Sequence, residues 1–117
     1  MEIKVIKDSL TKKALCNLAA EGYGEMIKAV VDLERQLLAV GGELHADAET
    51  LLLDEGSEQS HLWGINIYPA KTEAERIEFT SFINIRPRGG NRSLEIKDEI
   101  LRRKIREIVS KRINWNG

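Results

Sequence analysis

The sequence predicts an α+β fold in the order β-α-β-β-α-β-β-α, with a largely antiparallel sheet and a long C-terminal helix. Several segments alternate apolar with polar residues, which is typical of half-buried strands. Three other segments repeat apolar residues every three or four positions, which is typical of helices packed on a core. Glycine or proline lies at most of the joins between them. We therefore expect residues 1–117 to form a single domain whose helices pack on one side of the sheet.

The N-terminal region contains a strand and a short helix. Residues 2–7 alternate charged with apolar positions, so they are predicted to form the first strand. Ser9 or Thr11 can cap the helix that follows, and Gly22 ends it. The core-facing residues of this helix are Leu15, Leu18 and Ala19. Cys16 is the single cysteine, which excludes a disulfide framework, and we interpret it as a small apolar core residue.

The segment 26–40 fits two interpretations. Its apolar residues recur at helical spacing, yet over the first half they also alternate with charged residues. We favour a hairpin that turns at residues 34–36 and continues through 37–46, because both halves are rich in strand-compatible residues. In the register that this turn implies, Lys28 faces Glu43 as a cross-strand ion pair. A single long helix is the alternative.

The second half of the chain contains a helix, two strands and a final helix. Asp47 is placed to cap the first of these helices. Residues 63–68 and 77–86 alternate apolar with polar positions before a proline, so both are predicted strands with one buried face. The last helix is predicted over 94–113, with Ser93 as its cap. Its apolar stripe is Leu101, Ile105, Ile108, Val109 and Ile113.

Charge is unevenly distributed along the chain. Residues 1–85 contain 8 basic and 15 acidic side chains, whereas residues 86–117 contain 10 and 4, and the net charge is −1. Because aromatic residues make up only 5%, stacking platforms for bases are scarce, and nucleic acid is not the expected partner. We expect internal charge pairing, or pairing between protomers of a homo-oligomer. No apolar stretch reaches membrane-spanning length, so we expect a cytoplasmic protein without membrane contact.

An acidic cluster surrounds one histidine. On an extended strand Glu43, His45 and Asp47 point to the same side, and Glu49 follows two residues later. A histidine between carboxylates is typical of a divalent metal site, with these four residues as ligands, or of a general base with a raised pKa. His45 and Asp47 are therefore the candidate catalytic residues. The alternative is structural, because Asp47 and Glu49 also suit the start of a helix.

A second candidate site joins a strand to the last helix. Residues 86–93 combine two glycines with three arginines, and the helix start adds positive potential. Forked arginine donors and free backbone amides bind phosphate, sulfate or carboxylate groups. The candidate ligand-binding residues here are Arg86, Arg88, Asn91, Arg92 and Ser93. In the alternative interpretation, these arginines pair with carboxylates of the chain itself.

Polar residues within the predicted strands form a third candidate site. Asn66 and Asn84 lie among apolar residues, where a buried amide is costly unless it is hydrogen-bonded. Trp63 and Tyr68 flank Asn66 on the same predicted strand. These four residues can contact a ligand, with Asn84 orienting it. In the competing interpretation, the two amides bond a neighbouring loop.

Several of these segments carry a family resemblance when they are taken together. They are Gly41-Gly42-Glu43-Leu44-His45-Ala46-Asp47-Ala48-Glu49, Gly56-Ser57, Gln59, Leu62-Trp63-Gly64-Ile65-Asn66-Ile67-Tyr68-Pro69, Ile83-Asn84-Ile85-Arg86-Pro87 and Gly90-Asn91-Arg92-Ser93. The chain thereby resembles, from Ile3 to about Ile113, a family of short prokaryotic proteins known only as a domain of unknown function. The resemblance implies a free-standing one-domain protein in the cytoplasm. It implies no activity, cofactor or partner.

The function that the sequence predicts depends on bringing the first two candidate sites together. We expect a small anionic ligand to bind at the arginine-rich strand-loop-helix, next to the cluster of His45, Asp47 and Glu49. One alternative is a metal-dependent phosphoester hydrolase, in which a divalent ion on His45 and Asp47 activates water and Arg86 offsets developing charge. Another is a structural subunit of a homo-oligomer. The pattern of residues does not decide between an enzyme and a binding protein.

Overall fold

The computed structural model describes residues 2–117. The strands in this part of the chain are β1 (Ile3–Ile6), β2 (Leu10–Thr11), β3 (Ile27–Asp32), β4 (Leu37–Gly41), β5 (Leu62–Ile67), β6 (Ile77–Glu78) and β7 (Ile113–Asn114). The α-helices are α1 (Lys12–Glu21), α2 (His45–Asp54) and α3 (Glu99–Arg112). With the short strands β2 and β7 set aside, the elements follow the order β-α-β-β-α-β-β-α. The predicted α+β fold, with its long C-terminal helix, is confirmed.

The main sheet has five strands in the order β1-β4-β3-β5-β6, and every neighbouring pair is antiparallel. β3 and β5 pair over six residues each and form the centre of the sheet. A separate parallel pair joins β2 to β7, so the chain end after α3 lies beside the start of α1. Thr11 caps α1, as predicted, because its Oγ1 accepts a hydrogen bond from the Ala14 N–H at 3.1 Å.

The helices lie on both faces of the sheet, so the expectation that they pack on one side is wrong. The helices α1 and α3 pack on the face that carries Trp63 and Ile65 of β5. The helix α2 packs on the opposite face, which carries Leu62. All six residues of β5 are buried, as expected for a central strand packed on both faces. Within residues 2–117, no helix combines the length and the apolar character needed to cross a membrane.

The hairpin of β3 and β4 is confirmed, but its register and its end differ from the prediction. Asp32 pairs with Leu37, a shift of two residues that removes the expected pairing of Lys28 with Glu43. The cause is the Asp32 side chain, whose Oδ1 accepts from two consecutive backbone N–H groups in the turn, at 3.0 and 2.9 Å. Gln36 adopts a left-handed φ of 54° and closes a four-residue turn.

Strand β4 ends at Gly41, and α2 begins at His45, where the prediction placed a continuing strand. Gly41 has a φ of 106°, and a Cβ there would lie 2.1 Å from the Glu2 carbonyl oxygen, so glycine is required at this exit from the sheet. Asp47 is the third residue of the helix and not its cap. Its Oδ2 accepts a hydrogen bond from the Leu44 N–H at 3.3 Å.

Two predicted boundaries in the second half are also wrong. The strand predicted over 77–86 stops at Glu78, because a 3-10 turn at Phe82–Asn84 follows, capped by the Ser81 hydroxyl. The last helix begins at Glu99 and not near Leu94. Asp98, not Ser93, caps it by accepting from two N–H groups of its first turn. The predicted apolar stripe is present, with Ile105, Ile108, Val109 and Ile113 buried and Leu101 half-buried.

Candidate functional site

Residues 86–93 form a compact loop, named here the arginine loop, that is closed on itself by backbone hydrogen bonds. The Arg86 N–H donates to the Asn91 carbonyl at 2.6 Å, and the Asn91 N–H donates back at 3.1 Å. Gly90 has a φ of 86°, which the turn requires and which side chains disfavour. The Gly89 N–H donates to the Arg86 carbonyl at 2.9 Å, so this amide is used within the loop and is not free for an anion.

The Arg86 side chain is held in one position by four neighbours. Its guanidinium lies 4.4 Å from the centroid of the Trp63 ring, in cation–π geometry. Its Nε donates to the Ile83 carbonyl at 3.2 Å, and its terminal nitrogen NH2 donates to the Leu62 carbonyl. The same nitrogen lies 4.0 Å from Glu49 Oε2. Arg86 is thus a fixed positive group at the free edge of β5.

The ion pair between Arg86 and Glu49 links the arginine loop to α2. The two side chains are only 14% and 13% exposed. Burial lowers the pKa of Arg86, while the neighbouring Glu49 carboxylate raises it, and a guanidinium with these neighbours stays charged. One member of the predicted acidic cluster therefore does reach the predicted arginine site.

The other members of that cluster do not join Glu49. Because α2 begins at His45, the expectation that Glu43, His45 and Asp47 share one face of a strand is wrong. Glu43 and Asp47 are exposed, whereas the His45 ring is buried and its Nε2 lies 2.7 Å from the Ile65 carbonyl oxygen. Across the described residues 2–117, no three His, Cys, Asp or Glu side chains are grouped so that they could hold a metal ion.

Two adjoining clefts open beside Trp63 and the arginine loop, and they are named here the arginine clefts. The first has a volume of about 590 Å³ and is lined by Gln59, Ser60, Trp63, Arg86, Pro87, Arg88 and Gly89. The second has a volume of about 500 Å³ and is lined by Trp63, Gly89, Gly90, Asn91, Arg92, Ser93, Lys97, Asp98 and Leu101. Because they share Trp63 and Gly89, the two clefts flank one indole ring.

Six of the nine predicted ligand-binding residues line these clefts: Trp63, Arg86, Arg88, Asn91, Arg92 and Ser93. Asn84 does not. Its amide oxygen accepts from the Gly64 N–H at 2.8 Å, and its amide nitrogen donates to the Gly64 and Leu94 carbonyls at 2.9 and 3.2 Å. Asn84 therefore replaces the strand partner that β5 lacks at Gly64, which matches the structural interpretation of this residue.

Asn66 and Tyr68 lie toward the other end of β5, away from the arginine clefts. The Asn66 amide nitrogen donates to Glu78 Oε1 at 2.7 Å. The Tyr68 ring lies 4.2 Å from the Lys71 ammonium, and burial, with a smaller contribution from Glu78, raises the pKa of its hydroxyl. Both residues thus lie apart from the arginine clefts, and Asn66 is buried.

Sequence reasoning missed several residues that line the clefts. Pro87 and Gly89 lie inside the predicted loop, so their position alone could have identified them. Gln59 and Ser60 belong to a short 3-10 helix before β5, and they reach the first cleft only through the tertiary fold. Lys97 lies in the segment that was predicted as helix, but α3 begins only at Glu99, and Lys97 lines the second cleft.

Comparison with known proteins gives a family and no function. No curated protein and no solved structure matches the chain. The family model described as a protein of unknown function, DUF5674, matches residues 4–112. Since this match covers nearly the whole length, including α2, β5 and the arginine loop, the chain belongs to the DUF5674 family.

Proposed function

We propose that this protein binds a small anionic molecule in the arginine clefts. The observation that carries the proposal is the pairing of a fixed Trp63–Arg86 floor with two further arginines that are free. Neither Arg88 nor Arg92 has a hydrogen-bond or ion-pair partner within residues 2–117, and both are exposed. An anion can therefore recruit them without breaking an existing contact.

The charge lining the clefts is positive although the chain as a whole is not. Arg86 is paired with Glu49, whereas Arg88, Arg92 and Lys97 have no ion-pair partner within the part of the chain that the structure describes. The one carboxylate in the lining belongs to Asp98, whose Oδ1 already accepts from two backbone N–H groups of α3. The lining thus favours a negatively charged ligand over a neutral one.

The size and the apolar parts of the clefts narrow the ligand class. Volumes of about 590 and 500 Å³ fall within the range of small-molecule sites. The exposed Pro87 ring and the 7% of Trp63 that is exposed supply apolar surface beside the arginine side chains. The ligand expected here carries an anionic group, such as a phosphate or carboxylate, joined to a planar or apolar part that packs on Trp63.

The test is a titration with phenyl phosphate, followed by the fluorescence of Trp63. Trp115 is the second tryptophan, so a Trp115→Phe background isolates the signal. Phenyl phosphate is expected to change the emission, inorganic phosphate to bind more weakly, and phenol, which lacks the charge, to bind least. A response to phenol equal to that of phenyl phosphate would contradict an anion site.

Matched variants separate a defined site from general attraction to positive charge. In that background, Arg88→Gln with Arg92→Gln is expected to weaken phenyl phosphate binding about tenfold, because two charge-assisted contacts are lost. The control is Arg103→Gln with Lys104→Gln, which removes two positive charges from the exposed side of α3. Equal losses in the two double variants would overturn the proposal.

A further inference from the structure

A third, smaller cleft lies beside the first turn of α2, apart from the arginine clefts, and it is named here the α2 cleft. Its volume is about 150 Å³, and most of the residues that line it are apolar. The lining consists of Lys28, Leu44, His45, Ala46, Ser81, Phe82 and Ile83. Among the described residues, none lines both this cleft and an arginine cleft, so its role is independent of the proposed anion site.

Large apolar side chains stand unburied around the α2 cleft. Phe82 is 81% exposed, more than any other large apolar residue that the structure describes, and Leu44 is 58% exposed. Tyr23, which is 49% exposed, adjoins them, because its hydroxyl donates to the carbonyl of Glu43 at 2.6 Å and its ring lies 5.2 Å from the Lys28 ammonium. A contiguous apolar surface with polar groups at its edge is typical of a protein–protein contact. This surface, made of Tyr23, Lys28, Glu43, Leu44 and Phe82, is named here the Phe82 patch.

The α2 cleft has the size of the side chain that stands at its rim. An apolar cavity of about 150 Å³ holds one benzene molecule. The cleft has this volume, so it fits the phenyl ring of a Phe82 from a second copy of the chain. A two-fold contact uses the same surface on both copies, so that surface must carry both halves of each contact. The Phe82 patch meets this condition, because it has an exposed ring and, beside it, a cleft that accepts such a ring.

The charges of the Phe82 patch are complementary to those of a second copy. Lys28 lines the α2 cleft, and Glu43 directly precedes Leu44. Neither charged side chain has an ion-pair partner within residues 2–117. A two-fold axis through the patch brings Lys28 of each copy toward Glu43 of the other, so opposite charges meet around an apolar centre.

We infer that the Phe82 patch joins two copies of this chain in a two-fold dimer, in which Phe82 of each copy occupies the α2 cleft of the other. Leu44 and Tyr23 pack around the two inserted rings, and Lys28 pairs with Glu43 across the contact. Such a contact is small, so the dimer is expected to dissociate with a constant of about 100 µM. The arginine clefts stay open in this dimer, because they share no lining residue with the α2 cleft.

Sedimentation equilibrium of the full chain tests the dimer. Between about 10 µM and about 1 mM, a range that brackets the expected constant, the average mass should rise toward twice that of the monomer. Phe82→Ala is expected to weaken the association at least tenfold. The matched control is Ile100→Ala, which removes another exposed apolar side chain, on α3, and should leave the association unchanged. A monomer at every concentration, or equal effects of the two variants, would overturn the inference.

A mixing experiment separates ring insertion from non-specific association. Ala46→Phe fills the α2 cleft but keeps the Phe82 ring, whereas Phe82→Ala keeps the cleft but removes the ring. Neither variant can make the contact with itself, so each is expected to stay monomeric. Their equimolar mixture regains one of the two insertions and is expected to form a heterodimer that is weaker than the wild-type dimer. A mixture that stays monomeric while the wild type dimerises would refute the insertion.

Charge reversal tests the two-fold arrangement. Lys28→Glu brings like charges together at both ends of the contact and is expected to weaken the dimer about tenfold. Adding Glu43→Lys to the same chain should restore it. Lys13→Glu, on the exposed side of α1, is the control and should have no effect. Failure of the double variant to recover, with the control unaffected, would contradict the pairing of Lys28 with Glu43.

Discussion

Two residues one turn apart on α2, Glu49 and His45, handle polar groups in opposite ways. Glu49 approaches Arg86 as an ion pair, and both side chains are mostly excluded from water. The His45 ring, in contrast, contacts the Ile65 carbonyl, and burial lowers its pKa, so the ring is neutral. Charge pairing and neutralisation are the two ways in which a buried ionisable group avoids the cost of an isolated charge.

This difference gives the two residues different roles in the structure. Glu49 fixes the Arg86 guanidinium, which lines the first arginine cleft. The neutral His45 ring instead joins the start of α2 to the backbone of β5. A change of Glu49 should therefore alter a charge balance, whereas a change of His45 should alter hydrogen bonding and its dependence on pH.

The largest loss of stability is expected from Arg86→Met. This change leaves the Glu49 carboxylate buried without its partner, which typically costs about 3 kcal/mol or more of unfolding free energy. Adding Glu49→Leu should recover much of that loss, because it removes the orphaned charge. Urea unfolding of the wild type, both single variants and the double variant gives the interaction free energy between the Arg86 and Glu49 side chains. Additive losses in the double variant would show that the pair is not the source of the cost.

A smaller loss of stability is expected from Asn84→Ala, which acts on the edge of β5 at Gly64. It leaves the buried Gly64 N–H and carbonyl without their Asn84 partners, which should lower the free energy of unfolding by about 2 kcal/mol. Hydrogen exchange of the Gly64 amide should accelerate in the same variant. Asn17→Ala on the exposed side of α1 is the control and should change stability by only a few tenths of a kcal/mol. Similar losses in the two variants would contradict this account of the edge.

The His45→Ala variant is expected to lose about 1 kcal/mol of unfolding free energy, less than Arg86→Met. The variant forfeits one neutral hydrogen bond to Ile65 but leaves no buried charge. His45→Gln should retain most of the stability, because its amide nitrogen can donate to the same carbonyl. Thermal and urea unfolding measure both variants. If His45→Ala proved as destabilising as Arg86→Met, the contrast between Glu49 and His45 would fail.

The smallest effect is the contribution of His45 to the pH dependence of the free energy of unfolding. Burial, with Lys28 nearby, lowers its pKa below 6.5, although the Ile65 bond, Asn66 and Glu78 oppose the shift. The unfolded chain therefore takes up a proton at a higher pH than the folded chain. The free energy of unfolding should fall as pH drops below about 6.5, level off under the folded pKa, and be unaffected by this group above 6.5. The difference between wild type and His45→Gln isolates this contribution, and a flat difference would disprove it.

The elements of the fold were predictable because local periodicity carries most of the signal. The stripe around Ile105 identified α3 without any tertiary information, whereas the alternation before Asp32 favoured β3 but left a long helix open as the alternative. The errors lie where single side chains bond to the backbone. Asp32 sets the hairpin register, Asp98 delays the start of α3, and Gly41 ends β4, and none of these contacts has a periodic pattern.

The candidate site was predictable only in part for the same reason. Arginines and glycines between a strand and a helix identified the arginine loop. The stack of Arg86 on Trp63 and its ion pair with Glu49 depend on how α2 crosses the sheet, which no spacing in the sequence encodes. The prediction of one acidic cluster was wrong because the helix starts at His45, and a helix turns neighbouring side chains in different directions.

The most direct test of the central claim is to map phenyl phosphate by NMR on the uniformly labelled protein. If the arginine clefts form the site, the shifts should centre on the Trp63 indole N–H and the amides of Gly89, Gly90 and Arg92, and should saturate. They should weaken in the Arg88→Gln and Arg92→Gln double variant. Shifts that are scattered over α3, or that fail to saturate and are the same in that variant, would contradict the account.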